Sequence, residues 1–104
     1  MAKLSEKDSN MTSYWGDQIT ATPNQLIELL GKPQWGYNDG TDKTNMDWVC
    51  ETEGGKVFTI YDWKQYRPLN MDSYYGFHIG AHSKEISNQA WMELKTMFIT
   101  QKIQ

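Results

Sequence analysis

The sequence predicts an α+β domain, in which a small antiparallel sheet of about three to four strands carries a short N-terminal helix and a longer C-terminal helix. Two runs of β-branched and aromatic residues around a Gly-Gly turn indicate a hairpin. A Thr-Pro start before a leucine-rich run indicates the first helix, and apolar residues at spacings of three and four indicate the second. We expect one domain over residues 13 to 104, after a flexible lead over residues 1 to 12.

The first helix has a clear beginning and end. Thr22 is a capping residue, Pro23 fits the first helical position, and Gln25 completes a capping box. Gly31 supplies a left-handed stop, and Pro33 prevents continuation. Packing must hold so short a helix, and its predicted core stripe is Leu26, Leu29 and Leu30.

Three strands are predicted after this helix. Asp47 to Thr52 and Lys56 to Tyr61 flank the turn Glu53-Gly54-Gly55 and form an antiparallel hairpin. The second of these strands begins apolar on both faces, which places it in the centre of the sheet. The third strand runs from Tyr74 to Ile79, and residues 18 to 20 can add a short edge strand.

The last helix is predicted from Lys84 to about Ile99, with Ser83 as its cap. Its apolar residues form a stripe that should lie across the sheet. The members of this stripe are Ile86, Ala90, Trp91, Leu94, Met97 and Phe98.

A long loop from Gln34 to Met46 carries two rings near its start, Trp35 and Tyr37. Long loops in small domains are often functional, so these rings either close over a ligand or pin the loop to the core. The second interpretation is the more common one for single rings.

The composition narrows the function classes. The chain has 104 residues, a net charge of −3 and a mean hydropathy of −0.73. Its ten Lys and Arg residues are scattered, which argues against general nucleic-acid binding. Five Trp, six Tyr and six Met exceed what a small core holds, so some must lie at a surface, as in interfaces and ligand platforms.

Cysteine usage and hydropathy indicate the compartment. Cys50 is the single cysteine, so an internal disulfide is excluded, and we expect it to be an inert core thiol in a reducing compartment. No stretch has the length of a membrane span, and the polar N-terminus lacks the apolar core of a signal peptide. We therefore expect an intracellular protein without membrane contact.

One catalytic hypothesis rests on Asp62-Trp63-Lys64, which fits the D-x-K end of a metal-dependent nuclease site. Asp42 or Asp47 would supply a second carboxylate. Such triplets are common, so the match alone has little weight.

Histidines offer two further possibilities. His78 and Asp62 would form an acid–base pair if their strands are neighbours, although a structural histidine is more usual. His82 and Lys84 lie near the start of the last helix, where an anion could bind, but capping by Ser83 explains that region equally well.

A binding interpretation requires fewer coincidences. Aromatic rings offer stacking planes and nearby basic groups offer donors for phosphate or carboxylate, while the glycines at 76 and 80 permit close approach to one strand face. Tyr74 and Tyr75 are additional stacking planes. This interpretation needs no metal and no cofactor. The candidate ligand- or partner-binding residues are Tyr61, Asp62, Trp63, Lys64, Tyr66, Arg67, His78 and Gly80.

Four segments of the chain together form a recognisable series: TPNQLIELLGKP from Thr22, DW from Asp47, GKVFTIYDWK from Gly55 and FHIG from Phe77. In this order they resemble a group of small bacteriophage and prophage proteins. The resemblance covers roughly residues 20 to 97. Two departures from the group's pattern are Phe77, where tryptophan is usual, and Ala81, which replaces a second glycine.

The resemblance implies a phage accessory protein made in the host bacterial cytoplasm. We expect a non-enzymatic protein that serves counter-defence or host takeover, either by sequestering a nucleotide-like signal or by blocking a host defence protein. Its aromatic surface suggests a homo-oligomer. The alternatives are a small phosphodiesterase or nuclease using Asp62, Lys64 and His78, and a structural role in virion assembly.

Overall fold

The computed structural model describes residues 1–101, which form five β-strands and two α-helices. The strands make one sheet in the order β1-β3-β4-β5-β2, with every neighbouring pair antiparallel. The predicted α+β class is confirmed, although the sheet is larger than expected. The last three residues of the predicted domain lie outside the described part. The elements are β1 (Lys3–Leu4), β2 (Ser13–Ala21), α1 (Pro23–Leu30), β3 (Asp47–Glu51), β4 (Val57–Tyr61), β5 (Tyr75–Ala81) and α2 (Lys84–Gln101).

The N-terminal stretch expected as a flexible lead contributes the edge strand β1. Ala2 is buried, and the Ser5 N–H extends the ladder by donating to the Val49 carbonyl at 2.9 Å. The Gln34 side-chain amide also bonds to the backbone of β3 at this edge of the sheet. It accepts from Val49 N–H at 2.9 Å and donates to the Val49 carbonyl at 2.8 Å. Residues 2 to 5 therefore belong to the domain, which corrects the expectation of a flexible lead over residues 1 to 12. The sequence could not indicate this strand, because two residues are too few to show a periodicity.

Helix α1 begins and ends as its sequence predicts. Thr22 Oγ1 accepts from Gln25 N–H at 3.0 Å, and the Gln25 side chain accepts from Thr22 N–H at 2.9 Å. Gly31 ends the helix with a φ of +106°, a region that favours glycine. Leu26 is fully buried, while Leu29 and Leu30 pack partly buried against the core.

Strand β4 occupies the middle of the sheet, as the hairpin pattern predicts. It pairs with β3 from Asp47↔Tyr61 to Glu51↔Val57, and with β5 on its other side. The residues from Val57 to Ile60 are all buried. Both faces of this strand are thus covered over most of its length.

Strand β2 is longer than the predicted edge strand at residues 18 to 20 and contains a bulge. Its register with β5 shifts between Tyr14 and Gln18, and Gly16 within the bulge has a φ of +105°. The Trp91 indole donates to the Gln18 carbonyl at 3.0 Å. A bulge and an occupied carbonyl both discourage another strand from pairing here.

Helix α2 lies across one face of the sheet and closes the core. Ser83 caps it, accepting from Ile86 N–H at 3.2 Å. The predicted stripe is confirmed for Ala90, Leu94 and Met97, which are buried, whereas Trp91 lies at the margin. The fully buried sheet residues of this core include Trp48, Cys50, Phe58, Ile60, Phe77, Ile79 and Ala81. The opposite face of the sheet carries the polar and aromatic side chains described next.

Candidate functional site

A row of paired residues crosses the sheet on the face opposite α2. The register gives the pairs Trp35↔Asp47, Asp47↔Tyr61, Tyr61↔His78 and His78↔Gln18. Paired residues on neighbouring strands point to the same face, so these five side chains share one side of the sheet. We call Trp35, Asp47, Tyr61, His78 and Gln18 the cross-sheet row.

Four rings meet around this row, and we call Tyr14, Tyr61, Trp63 and His78 the aromatic cluster. The Tyr14 and His78 rings are stacked, with centroids 4.0 Å apart and planes 11° apart. Trp63 lies 6.3 Å from His78 at an interplanar angle of 25°, and Tyr61 meets both edge-on at 6.0 and 5.5 Å. Tyr14 and Trp63 are 42% and 41% exposed, so the cluster has ring surface available to a ligand.

The titratable rings at the centre of the cluster are uncharged at neutral pH. Burial lowers the pKa of His78 below its ordinary value. Burial, followed by the charge of Asp47 and the proximity of Tyr14, raises the pKa of Tyr61. The cluster therefore presents neutral stacking surfaces at pH 7.

Two lysines flank the exposed tryptophan. Lys43 Nζ lies 5.9 Å and Lys64 Nζ 5.5 Å from the centroid of the Trp63 ring. Their backbones are joined, because Lys64 N–H donates to the Lys43 carbonyl at 2.7 Å. Lys64 holds a left-handed backbone with a φ of +55°, which is uncommon for a residue other than glycine. Two ammonium groups thus lie over the ring of one exposed indole.

Asp62 does not take the catalytic position that the D-x-K pattern suggests. It is only 1% exposed, and its oxygens accept from Asn45 N–H at 2.7 Å, Met46 N–H at 2.9 Å and Asn45 Nδ2 at 3.0 Å. The expected pair with His78 is not formed, because Tyr61 is the residue opposite His78 and alternation turns Asp62 away. Asp62 is a structural acceptor in this fold.

The Asp62 contacts fasten two loops together. Asn45 Nδ2 also donates to the Arg67 carbonyl at 2.8 Å, and Asn45 Oδ1 accepts from Gly40 N–H at 2.9 Å. The segment that carries Trp63 is therefore anchored from below by a buried network. This anchoring gives the exposed ring a defined position.

The remaining candidate binding residues lie outside the ring contacts. Tyr66 and Arg67 are exposed, and Tyr66 has a φ of +52°. Of the additional stacking planes, Tyr74 is 66% exposed, whereas Tyr75 faces the core and contacts the Phe77 ring edge-on at 6.2 Å. Tyr75 is thus unavailable as a platform.

The loop rings and His82 also have assigned places. Tyr37 is 92% exposed and Trp35 is 65% exposed, so these rings do not pin their loop to the core. His82 Nε2 lies 2.8 Å from the Asn10 carbonyl, a contact that ties the N-terminal segment to the start of α2.

The missing side chain of Gly80 lets other groups approach this strand closely, as predicted. The groups that do so are side chains of the protein itself, and no space is left there for a ligand. A Cβ at this position would lie 2.5 Å from Thr59 Oγ1 and 3.3 Å from a Tyr61 ring carbon. At Gly76, the neighbour that a Cβ would meet at 2.5 Å is the tip of the Gln18 side chain. The two glycines therefore differ in what crowds them.

Gly80→Ala is expected to lower the free energy of unfolding by about 1–3 kcal/mol, because the stiff Thr59 side chain and the Tyr61 ring must shift. Gly76→Ala is the matched control and should stay within about 0.5 kcal/mol, since the exposed Gln18 side chain can move. Urea denaturation of both variants measures this. Equal losses would contradict the packing described for Gly80.

A separate groove of about 690 Å³ lies beside the N-terminal segment. It is lined by residues 4 to 10 together with Gln34, Trp35 and Val49. Its walls carry both signs of charge, from Glu6, Lys7 and Asp8, and they do not include the aromatic cluster. The concentration of contacting rings and flanking lysines makes the cluster the better candidate site.

Sequence reasoning missed Tyr14 and Lys43. Each lies in a segment remote from residues 61 to 78 along the chain, and only the sheet order and the joined loops bring them to the cluster. For Asp47, the one chemical role that the sequence suggests is a second carboxylate in the nuclease hypothesis. No spacing signal indicates these neighbours.

Two further findings concern metal binding and membrane-spanning helices in the part of the chain that the structure describes. Within residues 1–101, no three His, Cys, Asp or Glu side chains are grouped so that they could hold a metal ion. Neither helix in this part of the chain is long and apolar enough to cross a membrane. No protein-family model, curated protein or solved structure matches this chain.

Proposed function

We propose that this protein is a phage-encoded, non-enzymatic binding protein that holds a nucleotide-like ligand on the aromatic cluster. The observation that carries the proposal is the pair of lysines beside Trp63, next to three further contacting rings. A stacked base contributes about 1–3 kcal/mol to binding, and lysine is a common phosphate partner. The site offers one surface for the base and a second for the phosphate.

The ligand would place its base against the exposed faces of Tyr14 and Trp63. Its phosphate would meet Lys43 and Lys64, whose ammonium groups lie within 6 Å of the indole centroid. The buried contacts of Asp62 hold the Trp63 segment before the ligand arrives, which lowers the ordering cost of binding.

The biological setting is part of the same proposal and rests on the resemblance to phage accessory proteins. A protein with such a site, made in the host bacterial cytoplasm, would sequester a nucleotide signal and so serve counter-defence or host takeover. Assembly into a homo-oligomer would raise the number of sites in each particle. A virion assembly role is the alternative that this setting leaves open.

A host protein is the second candidate ligand. The observation that favours it is the exposure of the loop rings Trp35, Tyr37 and Tyr66, at 65%, 92% and 56%. Exposed aromatic residues are enriched where proteins bind one another. On this alternative, the loop rings rather than the aromatic cluster would contact the partner.

The hydrolytic alternative has less support. Its proposed carboxylate, Asp62, already accepts three N–H donors and is buried. Lys64 is exposed and His78 is half-buried among the cluster rings, and both lack the carboxylate that the D-x-K mechanism needs.

Calorimetric titration with guanosine monophosphate (GMP) and adenosine monophosphate (AMP) tests the proposal. Trp63→Ala is expected to weaken binding of the nucleotide that binds best by at least about tenfold, because it removes one stacking surface. Lys64→Gln is expected to weaken binding by a few-fold, with a smaller dependence on salt than the parent protein shows.

Two matched controls accompany these variants. Tyr37→Ala removes a ring that is 92% exposed and outside the cluster, and Lys95→Gln removes an ammonium placed 5.8 Å from the Trp91 ring on α2. Both should bind like the parent protein. Absence of nucleotide binding by the parent protein would overturn the proposal, as would equal losses in the controls.

A further inference from the structure

Gln18 places an exposed side-chain amide at the margin of the aromatic cluster. It lies on β2, directly opposite His78 in the sheet register, and it belongs to the cross-sheet row. Its Nε2 donates to the Tyr14 hydroxyl at 2.9 Å. The amide therefore contacts one ring of the cluster and, because it is exposed, is open to a ligand that stacks there.

The missing side chain of Gly76 gives this amide its place on β5. A Cβ at Gly76 would lie 2.5 Å from Gln18 Oε1, so the amide rests where a side chain would otherwise stand. Gly76 lies two residues before His78 and on the same face of β5. Because Tyr61 is opposite His78 and the two strands are antiparallel, the chain that continues from Tyr61 to Trp63 runs toward Gly76. The amide thus lies on the side of His78 toward which Trp63 extends.

The Gln18 amide keeps hydrogen-bonding groups free for a ligand. A glutamine side chain offers two N–H donors and an acceptor oxygen. Tyr14 uses one N–H of Nε2. Among residues 1–101, no acceptor takes the second N–H and no donor reaches Oε1. A donor and an acceptor therefore remain side by side at the margin of the rings.

The order of the strands separates this amide from the two lysines. Gln18 lies on the edge strand β2, His78 on the neighbouring β5, and Trp63 follows β4. Lys43 and Lys64, which lie over the Trp63 ring, belong to the loops that precede β3 and follow β4. A nucleotide lying across the rings therefore meets an amide at one end and ammonium groups at the other.

We propose that Gln18 is the base-reading residue of the nucleotide site, and that its amide pairs with a purine edge carrying an adjacent donor and acceptor. This inference rests on the proposed function. Adenine offers such an edge through its 6-amino group and a neighbouring ring nitrogen, and glutamine recognises adenine in this bidentate manner on DNA. Guanine offers one through N1–H and O6. A purine without a 6-substituent leaves Gln18 Oε1 unpaired.

Calorimetric titration of the parent protein with AMP and with purine riboside monophosphate, which lacks the 6-amino group, is the first test. AMP is expected to bind about three- to tenfold more tightly, because the analogue forms one hydrogen bond fewer. The two ligands share their ring system, ribose and phosphate, so stacking and charge are closely matched. Equal affinities would overturn the role of Gln18.

Gln18→Glu tests the direction of the hydrogen bonds. The carboxylate keeps the shape of the amide but only accepts. It matches the adjacent N1–H and 2-amino donors of guanine, whereas one of its oxygens would face a ring-nitrogen lone pair of adenine. The ratio of GMP to AMP affinity should rise by at least about tenfold over that of the parent protein. Repulsion between the new charge and the phosphate is common to both ligands and cancels in this ratio.

Gly76→Ala tests the position of the amide without changing its chemistry. The added Cβ displaces Gln18 Oε1 from β5, while the stability of the fold should change little. The preference for AMP over purine riboside monophosphate should fall below about twofold. A purely structural role of Gly76 would leave this preference unchanged.

The outcomes separate this inference from the proposed function. Gln89→Glu is the matched control, because Gln89 lies on α2 and therefore on the other side of the sheet, and it should keep the parent ratio of GMP to AMP affinity. An equal change in Gln18→Glu and in this control would overturn the role of Gln18 while nucleotide binding stands. Failure of every nucleotide to bind would overturn both claims. Circular dichroism verifies that each variant is folded.

Discussion

Asp62→Ala is expected to lower the free energy of unfolding by about 3–4 kcal/mol, a large part of the stability of a domain of this size. Asp62 is 1% exposed, and its removal leaves two backbone N–H groups and the Asn45 amide without their acceptor. Hydrogen bonds to a charged acceptor are each worth about 1.5–3 kcal/mol, and water will replace part of the loss. Urea denaturation measures the change.

Asp42→Ala is the control for this prediction. Asp42 is an exposed loop carboxylate that, among residues 1–101, accepts only from the neighbouring Lys43 N–H. Its removal should cost less than about 1 kcal/mol. Equal losses for the two variants would contradict the anchoring role assigned to Asp62.

Asp47→Asn is expected to have the opposite sign and to stabilise the protein at neutral pH by up to about 3 kcal/mol. The pKa of Asp47 is raised from 3.8 to about 6 in the folded protein, because burial and the Asp62 charge disfavour ionisation. A pKa shift of one unit corresponds to about 1.36 kcal/mol. Ionising Asp47 in the folded protein therefore costs up to about 3 kcal/mol above pH 6, and the asparagine side chain removes this cost.

The pH dependence gives this prediction its sign. Because the folded-state pKa lies above the unfolded-state value, the penalty is absent below about pH 4, grows between the two pKa values and is complete above the folded-state pKa. The variant should therefore melt at a higher temperature than the parent protein at pH 7.5 and at a similar temperature near pH 4. A pH-independent difference would contradict the burial of an unpaired charge at Asp47.

These two aspartates show where sequence reasoning ended. Asp47 and Asp62 each lie at a predicted strand end, and nothing in their neighbours distinguishes them. In the fold, loop amides surround Asp62, whereas Asp47 is enclosed without a donor to its Oδ1. The difference depends on how the 36 to 46 loop returns over residues 62 to 70, which no local signal encodes.

Elements with local signals were predicted well. The Thr22-Pro23-Gln25 start and Gly31 stop of α1 act within one or two turns, and the Gly-Gly turn between β3 and β4 is equally local. The β2 bulge and β1 depend on partners distant in the chain. The cluster itself joins Tyr14 to residues near 61 and 78, so only the β5–β2 pairing reveals it.

The most direct test of nucleotide binding at the aromatic cluster is a nuclear magnetic resonance titration with GMP, followed through the indole N–H signals. Three of the five indoles donate inside the protein, those of Trp15, Trp48 and Trp91. Binding at the cluster should shift the Trp63 signal strongly and leave those three nearly unchanged. Shifts confined to Trp35, which lines the separate groove, or no shifts at all would contradict the account.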